Sequence, residues 1–541
     1  MKYYLTTNPF TLTNIETHKT EYYENLDSLI NRIINEKSLE AYVHELDKLA
    51  HAIIIKLFDR SFEEISTGDV ERLDQELPSK KFIVVGTIEE RSIINIRIKK
   101  TQKKQATLYN TMRIFGGASI TDIIGSVGTD DEIEGMCLAL NHLAQQGHKG
   151  WTISSIAMTD LKNESFGRMV DGKLKYGYIN FKEWFPILDT EVHDFVMESY
   201  QGGLCYFNPK YRGINEDLCG VEYDVNSMYP SIMAEEFLPY GEPKRFEGKF
   251  NIKENRRTPL YFQKVRIEKL SIKKDCVPTI RDSKNQCYYT EAENIEIVLN
   301  EIDLELMNRN YDVIGIEYLG GYAFHGRKCM FNKFIGKWVD RKIKATEQGD
   351  KFNRMIAKLM LNSAYGKFAS RTDRKPAKYY KLPNGNIVRR PYMGGKRTKE
   401  GNMIYCPVGA YITSYARKRL LNAIDNNKDN FIYSDTDSIY IKGDKAIGME
   451  IDPNKLGAWK EEFKFTKMTI INKKQYIVQK EDGSIKVACA GMPTHVMNKI
   501  KSFDEFYVGA IFDFEITQFD KEGFPYQQKM PTYKLKDENI L

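Results

Sequence analysis

Apolar residues recur along the chain with two different periods, which predicts a mixture of helices and strands. In residues 26–34 and 46–58 the apolar positions follow helical spacing. Residues 82–85 and 93–98 are short apolar runs rich in β-branched side chains, as strands are. The 541 residues are too many for one hydrophobic core, so we expect two or more domains.

A strand–turn–strand pattern lies at residues 431–441, where apolar and aromatic residues flank the string YSDTDS. Asp435 and Asp437, one residue apart at the turn, project into one small volume. Their charges repel there unless a cation compensates them. A divalent ion with oxygen ligands, Mg²⁺ first, fits that need. Considered alone, an Asp-x-Asp pair also fits a hairpin tip with solvated side chains.

A third carboxylate follows a second predicted strand. Residues 221–231, VEYDVNSMYPS, begin as a strand and then bend, because Pro230 biases Tyr229 away from helical geometry. Asp224 at the strand end would join Asp435 and Asp437 around two metal ions, an arrangement that suits in-line displacement at phosphorus. By itself, the segment also fits an ordinary strand end with a solvated Asp.

The third stretch is a predicted helix around residues 358–367, KLMLNSAYGK. Its polar stripe, at positions i, i+4 and i+7, consists of Lys358, Asn362 and Tyr365. An ammonium, an amide and a ring in one line suit a nucleotide, with charge for phosphate and a flat surface for a base. An ordinary amphipathic helix with a solvated Lys is the alternative. The opposite face comprises Met355, Ile356, Leu359, Met360 and Ser363.

In chain order, these stretches resemble motifs A, B and C of the family B DNA polymerases. The match is closest to the protein-primed group, which copies linear phage genomes from a terminal-protein primer. The resemblance covers the last two thirds of the chain well and the first third weakly. It implies an α+β, mixed α/β multidomain fold. An exonuclease-like (RNase H-like) domain would precede a right-hand polymerase with palm, fingers, thumb and two group-specific insertions.

The resemblance also implies catalytic and metal-binding roles. Asp224 and Asp437 would be the principal ligands of two Mg²⁺ ions, for which Mn²⁺ substitutes. Asp435 would stand beside them, and Val225 would lend its backbone carbonyl. Lys474, in a Lys-x-Tyr motif, would meet phosphate or stabilise the reacting site.

Nucleotide and DNA contacts are implied in the same way. Tyr229 would stack under the incoming sugar and exclude a ribose 2′-hydroxyl, and Lys358 would hold the triphosphate. The other nucleotide contacts would be Ser227, Lys342, Asn362, Tyr365 and Gly366. The primer-template contacts would be Tyr200, Gly202 and Gly203 of a Tyr-x-Gly-Gly element, together with Thr436, Lys474 and Tyr476.

The implied domain order runs through seven segments. The exonuclease-like domain would occupy 1–165, the palm 166–238 and 404–489, the fingers 330–370 and the thumb 490–541. The insertion at 239–329 would contact the terminal protein. The insertion at 371–403, where Asn384-Gly385 suits a type I′ turn, would give processivity and strand displacement. A surface hairpin without a DNA role is the alternative there. Arg417, on a predicted helix, would support the palm.

The exonuclease motifs of the family are matched only in part, so we expect a retained fold with weak or absent proofreading. Asn14 stands where an Asp is expected, two residues before Glu16. The position five past His44 holds Leu49, where the family has Asp. Asp131 is kept in the third motif. An amide is a weaker metal ligand than a carboxylate, and Leu is none.

Composition limits the function classes only loosely. The formal net charge of +6 permits a polyanion partner without demanding one. The 8 cysteines form no CxxC pair, which argues against a zinc site and for reduced thiols in a cytoplasmic, host-cell compartment. No apolar run approaches the length of a membrane helix, and the N-terminus lacks a signal-peptide pattern. We expect a monomer.

The leading hypothesis is therefore a template-directed, protein-primed DNA polymerase, with primer-template DNA, dNTPs and a terminal protein as partners. Two alternatives stay open. One is a polymerase fold kept as a catalytically idle nucleic-acid-binding scaffold. The other is a polymerase that extends conventional primers only.

Overall fold

The computed structural model describes residues 2–36, 38–59, 64–67, 82–87, 93–98, 104–147, 152–213, 218–282, 287–369, 377–381, 387–391, 405–520, 524–530 and 532–535. Within these ranges the strands are β1 (Lys2–Thr7), β2 (Phe10–Asn14), β3 (Thr20–Tyr23), β4 (Leu39–Val43), β5 (Glu64–Thr67), β6 (Phe82–Thr87), β7 (Ile93–Ile98), β8 (Lys104–Asn110), β9 (Arg168–Val170), β10 (Lys173–Lys175), β11 (Cys205–Phe207), β12 (Gly220–Val225), β13 (Leu238–Phe246), β14 (Leu260–Ile272), β15 (Glu291–Asn300), β16 (Tyr311–Arg327), β17 (Ala377–Lys381), β18 (Ile387–Pro391), β19 (Phe431–Asp435), β20 (Ser438–Lys442), β21 (Trp459–Asn472), β22 (Gln475–Lys480), β23 (Ile485–Cys489), β24 (Ile511–Phe512), β25 (Glu515–Phe519), β26 (Pro525–Lys529) and β27 (Tyr533–Lys534).

The helices of the same ranges are α1 (Leu26–Asn35), α2 (Leu46–Asp59), α3 (Thr111–Ile114), α4 (Ile120–Ser126), α5 (Glu132–Gln145), α6 (Ile153–Phe166), α7 (Gly177–Trp184), α8 (Thr190–Ser199), α9 (Met228–Glu235), α10 (Glu301–Asn310), α11 (Asn332–Glu347), α12 (Lys351–Phe368), α13 (Cys406–Asn426) and α14 (Thr494–Met497). The helices and strands predicted from periodicity in the first third are confirmed by α1, α2, β6 and β7. No helix in the described part of the chain is long and apolar enough to cross a membrane.

The N-terminal part is built on a ten-stranded sheet with the order β18-β17-β5-β6-β7-β8-β4-β1-β2-β3. Its helix α1 begins with a capping box, in which Asn25 and Ser28 satisfy each other's backbone N–H groups. Strands β17 and β18 pair antiparallel, as the hairpin prediction for the second insertion requires, and β17 also pairs with β5. The predicted Asn-Gly turn lies outside the described residues.

A seven-stranded sheet with the order β11-β19-β20-β12-β21-β22-β23 carries the acidic motifs. Helices α9 and α13 pack against each other beside this sheet, and α13 also contacts β20. The core there is apolar and aromatic, and it includes Val225, Met228 and Ile439, which are buried. The two acidic motifs are therefore held by neighbouring strands of one rigid sheet.

The segment after β12 differs from the prediction. Tyr229 is helical, in the first turn of α9, whereas Pro230 was expected to exclude it from a helix. Proline is tolerated in a first helical turn because its missing N–H would have no intrahelical partner there. The bend falls earlier, at Ser227, which adopts the left-handed conformation with φ of 55°.

The first insertion forms a four-stranded sheet with the order β13-β16-β14-β15, and α10 packs on it. It is joined to α13 by a buried ion pair, in which the Arg417 guanidinium lies 2.7 and 2.8 Å from the two carboxylate oxygens of Asp303. Both residues are 1% exposed. The Arg417 guanidinium also donates to the backbone carbonyls of Gln201 and Gly202, at 2.7 and 2.9 Å. The predicted role of Arg417 as a palm support has this physical basis.

A buried carboxyl in the first insertion predicts a pH-dependent stability. Glu301 accepts hydrogen bonds from the Tyr411 hydroxyl and the Tyr261 N–H, and burial raises its pKa to about 7 from 4.5. Because the folded-state pKa is the higher one, the stability from this group is complete below pH 4.5 and is lost as the pH rises through 7. The free energy of unfolding of E301Q, relative to wild type, should therefore rise by roughly 2–3 kcal/mol between pH 5 and pH 8. Urea unfolding at each pH measures it, and a constant difference would contradict it.

The fingers consist of the antiparallel helices α11 and α12. Helix α11 is tied to α6 by Lys337, whose ammonium lies 2.8 Å from Asp160 and 2.7 Å from Glu164, and by the Trp338 indole N–H, 2.6 Å from Asp160. Helix α12 buries Ile356 and Met360 of the predicted apolar face; its other members, Met355, Leu359 and Ser363, are only partly buried.

Candidate active site

Adjacent strands bring the two acidic motifs together. In the sheet register Asp224 lies opposite Ser438, which also lies opposite Asp435 across the turn. The Val225 N–H donates to the Asp437 carbonyl at 2.8 Å, so the turn is fastened to the end of β12. Residues directly opposite each other share one face of a sheet. Three neighbouring interior strands thus place the predicted carboxylates of both motifs at one end of the sheet, where β12 and β19 finish.

Asp224 and Asp437 form an electrostatically unfavourable pair when no cation is present. Burial, and then the nearby Asp437 and Glu462 carboxylates, raise the pKa of Asp224 to about 7. Burial, with Asp435 adding to it, also raises the pKa of Asp437. Lys358 opposes both shifts. Two half-buried carboxylates with raised pKa values fit a divalent cation, because carboxylate oxygens are its preferred ligands and its charge would remove the repulsion.

Asp435 forms an ion pair with a lysine. Its oxygens lie 3.0 and 2.8 Å from the ammonium of Lys474. Among the described residues, no group of three or more acidic, His or Cys side chains is arranged to hold a metal ion. The structure therefore brings Asp437 close to Asp224 and gives Asp435 a lysine partner.

The loop that carries Lys474 is held by buried tyrosines. Lys474 has a φ of 54°, and its N–H donates to the Tyr433 hydroxyl at 3.1 Å. Tyr476 was expected to grip the primer, but it is only 6% exposed and its hydroxyl lies 3.0 Å from that of Tyr440. Its aromatic contact with Tyr433, with ring centroids 4.8 Å apart, is part of the palm core. Tyr476 thus supports the Lys474 loop from below.

Helix α12 presents the predicted nucleotide surface beside the carboxylates. Lys358, Asn362 and Gly366 are exposed along it. The rings of Tyr229 and Tyr365 are in contact, with centroids 3.9 Å apart, and burial followed by this neighbour raises the pKa of Tyr229. The two tyrosines, one from each motif, form an aromatic wall next to the acidic pair, with their ring planes tilted by 31°.

Lys342 on α11 reaches the same cavity. Its ammonium lies 3.1 Å from the Asn226 side-chain oxygen and 3.5 Å from the Ser227 hydroxyl, in the bend after β12. Burial, and then the cations Arg354, Lys358 and Lys460, lower its pKa. Three other cations thus act on Lys342, and such a concentration of positive charge favours binding of an anion.

The Tyr-x-Gly-Gly element packs on the turn between β19 and β20. The Thr436 N–H donates to the Leu204 carbonyl at 2.7 Å. A Cβ atom at Gly203 would stand only 2.8 Å from the Thr436 side chain, so this position requires glycine. Gly202 lends its carbonyl to Arg417, while Tyr200 ends α8 next to the site. The element is therefore a structural neighbour of the acidic turn, which its sequence position alone did not reveal.

Strand β21 contributes residues that sequence reasoning missed. Lys460 lies directly opposite Asp224 in the sheet, and its ammonium is 2.8 Å from the Glu462 carboxylate. Arg354, one helical turn before Lys358 on α12, adds another cation. Nothing local in the sequence distinguishes these side chains from solvated surface charges. Their place depends on the pairing of β12 with β21.

The exonuclease remnants are not gathered into one site. The Asn14 side chain accepts the N–H groups of the exposed turn that contains Glu16, and the neighbouring Ile15 carbonyl accepts from Asn141 near the end of α5. Asp131 caps the other end of α5. Asn141 and Asp131 are ten residues apart along the helix axis, which at 1.5 Å per residue is a separation of about 15 Å.

His44 has a separate local role. Its Nδ1 atom lies 2.9 Å from the hydroxyl of Thr111, the first residue of α3. Asp131 likewise serves its helix, since its side chain accepts the N–H of Glu134 at 2.7 Å. The match of Asn14 and Glu16 to a first exonuclease motif is therefore not supported by their place in the fold, because they stand at a turn remote from Asp131.

The seven-stranded sheet, helices α11 and α12 and the neighbouring carboxylates have the arrangement of a right-hand polymerase fold. Residues 145–446 match the family of DNA polymerase type B, organellar and viral. This match spans more than half of the chain, and the chain belongs to that family.

Curated relatives include phage enzymes named DNA polymerase. The enzyme of Bacillus phage Nf is 35% identical over 358 residues, which cover 61% of this chain and 60% of the relative. That of Streptococcus phage Cp-1 is 32% identical over 349 residues, covering 62% and 59%. The aligned region therefore spans about three fifths of each relative.

Solved structures match over a longer range. Phi29 DNA polymerase in complex with primer-template DNA and incoming nucleotide has a TM-score of 0.82 at 25% identity, covering 99% of this chain and 98% of that chain. Its binary complex with primer-template DNA gives 0.83 at 26% identity, with 98% and 96% covered. The expected multidomain polymerase fold is confirmed.

Proposed function

We propose that the protein is a template-directed DNA polymerase that transfers dNMP to a primer 3′-hydroxyl. The main supporting observation is the pair of half-buried carboxylates, Asp224 and Asp437, close to Lys358 of α12 and, for Asp224, to Lys342 of α11. In the reaction, a hydroxyl attacks the α-phosphate and pyrophosphate leaves. The carboxylate pair would hold the cations that this step needs, and the neighbouring lysines would bind the negatively charged phosphates. Family membership and the fold shared with phi29 DNA polymerase support the same conclusion.

Each part of the site has a task in that reaction. Lys342 and Lys358 bind the triphosphate and neutralise the charge that builds on the leaving pyrophosphate. The Tyr229–Tyr365 wall orients the sugar and base, and Lys474 keeps Asp435 paired. Divalent ions held by Asp224 and Asp437, with the Val225 carbonyl, would supply positive charge for the attacking and leaving oxygens. Catalysis rests mainly on positioning and on electrostatics.

The partners and the domain limits complete the proposal. Mg²⁺, with Mn²⁺ as a substitute, would be the metal, and primer-template DNA, dNTPs and a terminal protein the partners of a monomer in the host cytoplasm. The sheet of the first insertion offers a surface for the terminal protein. The β17–β18 hairpin, which pairs with strand β5 of the N-terminal sheet, would restrain DNA and support strand displacement.

Primer extension on a long single-primed DNA circle with Mg²⁺ tests the proposal. Extension far beyond one circle length would support polymerase activity, processivity and strand displacement together. If no dNMP is incorporated, the alternative of a catalytically idle nucleic-acid-binding scaffold would be favoured. Incubation with labelled dATP and a candidate terminal protein separates protein priming from use of conventional primers, because only the former labels the protein.

Tyr229→Ala should relax the discrimination against ribonucleotides. The ring packs on Tyr365 and closes the floor of the cleft, so its removal opens space for a 2′-hydroxyl. We expect the ratio of kcat/KM for dNTP over rNTP to fall by about 10²-fold, the size expected when a steric contact of 2–3 kcal/mol is lost. Tyr229→Phe, which keeps the ring, is the control. An unchanged dNTP-over-rNTP selectivity in Tyr229→Ala would show that Tyr229 does not exclude the ribose 2′-hydroxyl.

Proofreading should be weak or absent, because Asn14 with Glu16 and Asp131 lie at opposite ends of α5. A mismatched 3′ nucleotide on a labelled primer should be removed in Mg²⁺ at no more than background rate, and Glu16→Ala should not change that rate. A perfectly paired primer serves as the control. Rapid mismatch removal that Glu16→Ala abolishes would overturn the expectation.

A further inference from the structure

Outside the candidate active site, a partly exposed cluster of cations and an aromatic ring lies where α6, α7 and α12 meet. We name Lys162, Lys182, Lys367 and Tyr178 the lysine–tyrosine patch. The Lys162 ammonium lies 5.0 Å from the centroid of the Tyr178 ring, and the Lys182 ammonium lies 4.7 Å from it. The Lys162 ammonium is also 4.7 Å from the buried Phe181 ring. The cluster is therefore ordered by cation–π contacts.

The positive charge of the patch is not compensated by neighbouring carboxylates. On α6, Glu164 is engaged by Lys337, and in the β9–β10 turn Asp171 pairs with Lys175. Within the described ranges the three patch lysines form no ion pair. Burial, followed by the ammonium groups of Lys182 and Lys367, lowers the pKa of Lys162. Mutually repelling ammonium groups without a counter-charge provide a site for an anion.

The aromatic component makes the ligand more specific. Tyr178 is 53% exposed although two cations hold its ring in place, so a flat surface is presented to solvent beside the charges. A ligand that uses both features must carry phosphates and exposed planar groups close together. Single-stranded nucleic acid has this chemistry, because its bases are free to stack on aromatic side chains while its backbone meets lysines. Duplex DNA offers phosphates but keeps its base faces covered.

The position of the patch indicates which strand it meets. Lys367 stands two residues after Tyr365 on α12, and residues two apart on a helix point about 200° apart. The patch therefore lies on the far side of α12 from the Tyr229–Tyr365 wall, across a helix about 10 Å thick. A template strand that passes around the end of α12 to the Tyr229–Tyr365 wall would therefore cross the patch before its bases pair.

We propose that the lysine–tyrosine patch binds the single-stranded template a few nucleotides ahead of the templating base. Lys162 and Lys182 contact its phosphates, and Tyr178 stacks on one of its bases. The inference rests on the proposed polymerase function and adds a binding site to it. Binding there would hold the template straight at the entrance of the cleft before each base pairs.

Fluorescence anisotropy with the full chain tests this site. The probes are two hairpin primer-template DNAs with the same duplex and template overhangs of one or eight thymidines. We expect wild type to bind the longer overhang about tenfold more tightly, the scale of one stacked base with its phosphate contacts. K162Q/K182Q should abolish this gain and reduce the salt slope by about 1.4, two single-strand phosphate contacts. K442Q/K445Q, two exposed palm lysines, is the charge-matched control.

Tyr178 gives an independent arm, because its half-exposed ring can be changed with little risk to folding. Tyr178→Leu should lose most of the overhang gain, and Tyr178→Phe should keep it. An overhang gain unchanged in both Tyr178→Leu and K162Q/K182Q would overturn the site. An equal loss of affinity for both hairpins would also overturn it, as would a loss of affinity seen only with a probe that carries a displaced-strand flap.

Addition of the next dNMP to the same hairpins is measured in parallel. If the wild-type protein adds no dNMP, the proposed polymerase function is wrong. If it adds a dNMP while the variants keep the tighter binding of the longer overhang, only the proposed template site is wrong.

Discussion

Asp437→Ala should reduce dNMP incorporation by at least about 10³-fold while primer-template affinity stays within a few-fold of wild type. Asp437 and Asp224 are the two carboxylates whose mutual repulsion calls for a cation. Removing one leaves too few ligands to hold the positive charge that the reaction needs. A loss of 10³-fold corresponds to about 4 kcal/mol of transition-state stabilisation, within the range that metal charge contributes.

Single-turnover primer extension measures the rate, and anisotropy with labelled primer-template measures affinity. Asp444→Ala, an exposed aspartate beyond β20, is the matched control and should retain full activity. Asp437→Asn should also raise the melting temperature of the free protein, because it relieves repulsion between two half-buried carboxylates. Loss of activity with raised stability distinguishes a catalytic defect from misfolding. Synthesis within tenfold of wild type would refute the assignment of Asp437.

Arg417→Ala should destabilise the protein by about 3–5 kcal/mol, the range measured when one partner of a buried ion pair is removed. The loss leaves the Asp303 carboxylate buried without its counter-charge and the Gln201 and Gly202 carbonyls without their donor. Activity should fall too, because Gly202 adjoins Gly203, which packs on the acidic turn. Urea unfolding followed by tryptophan fluorescence gives the stability, and the same extension assay gives the activity.

The neighbouring Lys418 supplies a matched control. Its ammonium lies 2.6 Å from Glu305, also across the α13–α10 contact, but this pair is partly exposed. Lys418→Ala should therefore cost less than about 1 kcal/mol. The double variant D303L/R417M, which removes both buried charges, should be more stable than Arg417→Ala alone. Equal costs for Arg417→Ala and Lys418→Ala would show that the buried pair has no special role.

Local patterns in the sequence predicted much of the fold and the main site. The helices α1 and α2 and the strands β6 and β7 follow from hydrophobic spacing. The β19–β20 turn follows from its polar centre between apolar flanks. The Lys358, Asn362 and Tyr365 stripe follows from helical period. These features depend on residues close together in the chain, so their signals are present in short windows.

The prediction that Tyr229 is not helical was wrong, because the effect of a proline on the preceding residue depends on where in the helix the proline lies. Proline disfavours a helical residue before it, yet the first turn of α9 tolerates both. The chain bends instead at Ser227, which adopts the left-handed backbone conformation. Likewise, the motif placed Tyr476 at the primer, whereas packing against Tyr433 and Tyr440 buries it in the palm.

By itself the sequence determined the elements, the acidic and basic motifs, and their order along the chain. Only the tertiary structure decided the partners: Lys474 for Asp435, Lys460 and Glu462 beside Asp224, and Gly203 against Thr436. It also decided that the exonuclease remnants stand apart. The physical reason is that strand register and side-chain pairing join residues tens to hundreds of positions apart, and no local periodicity carries that information.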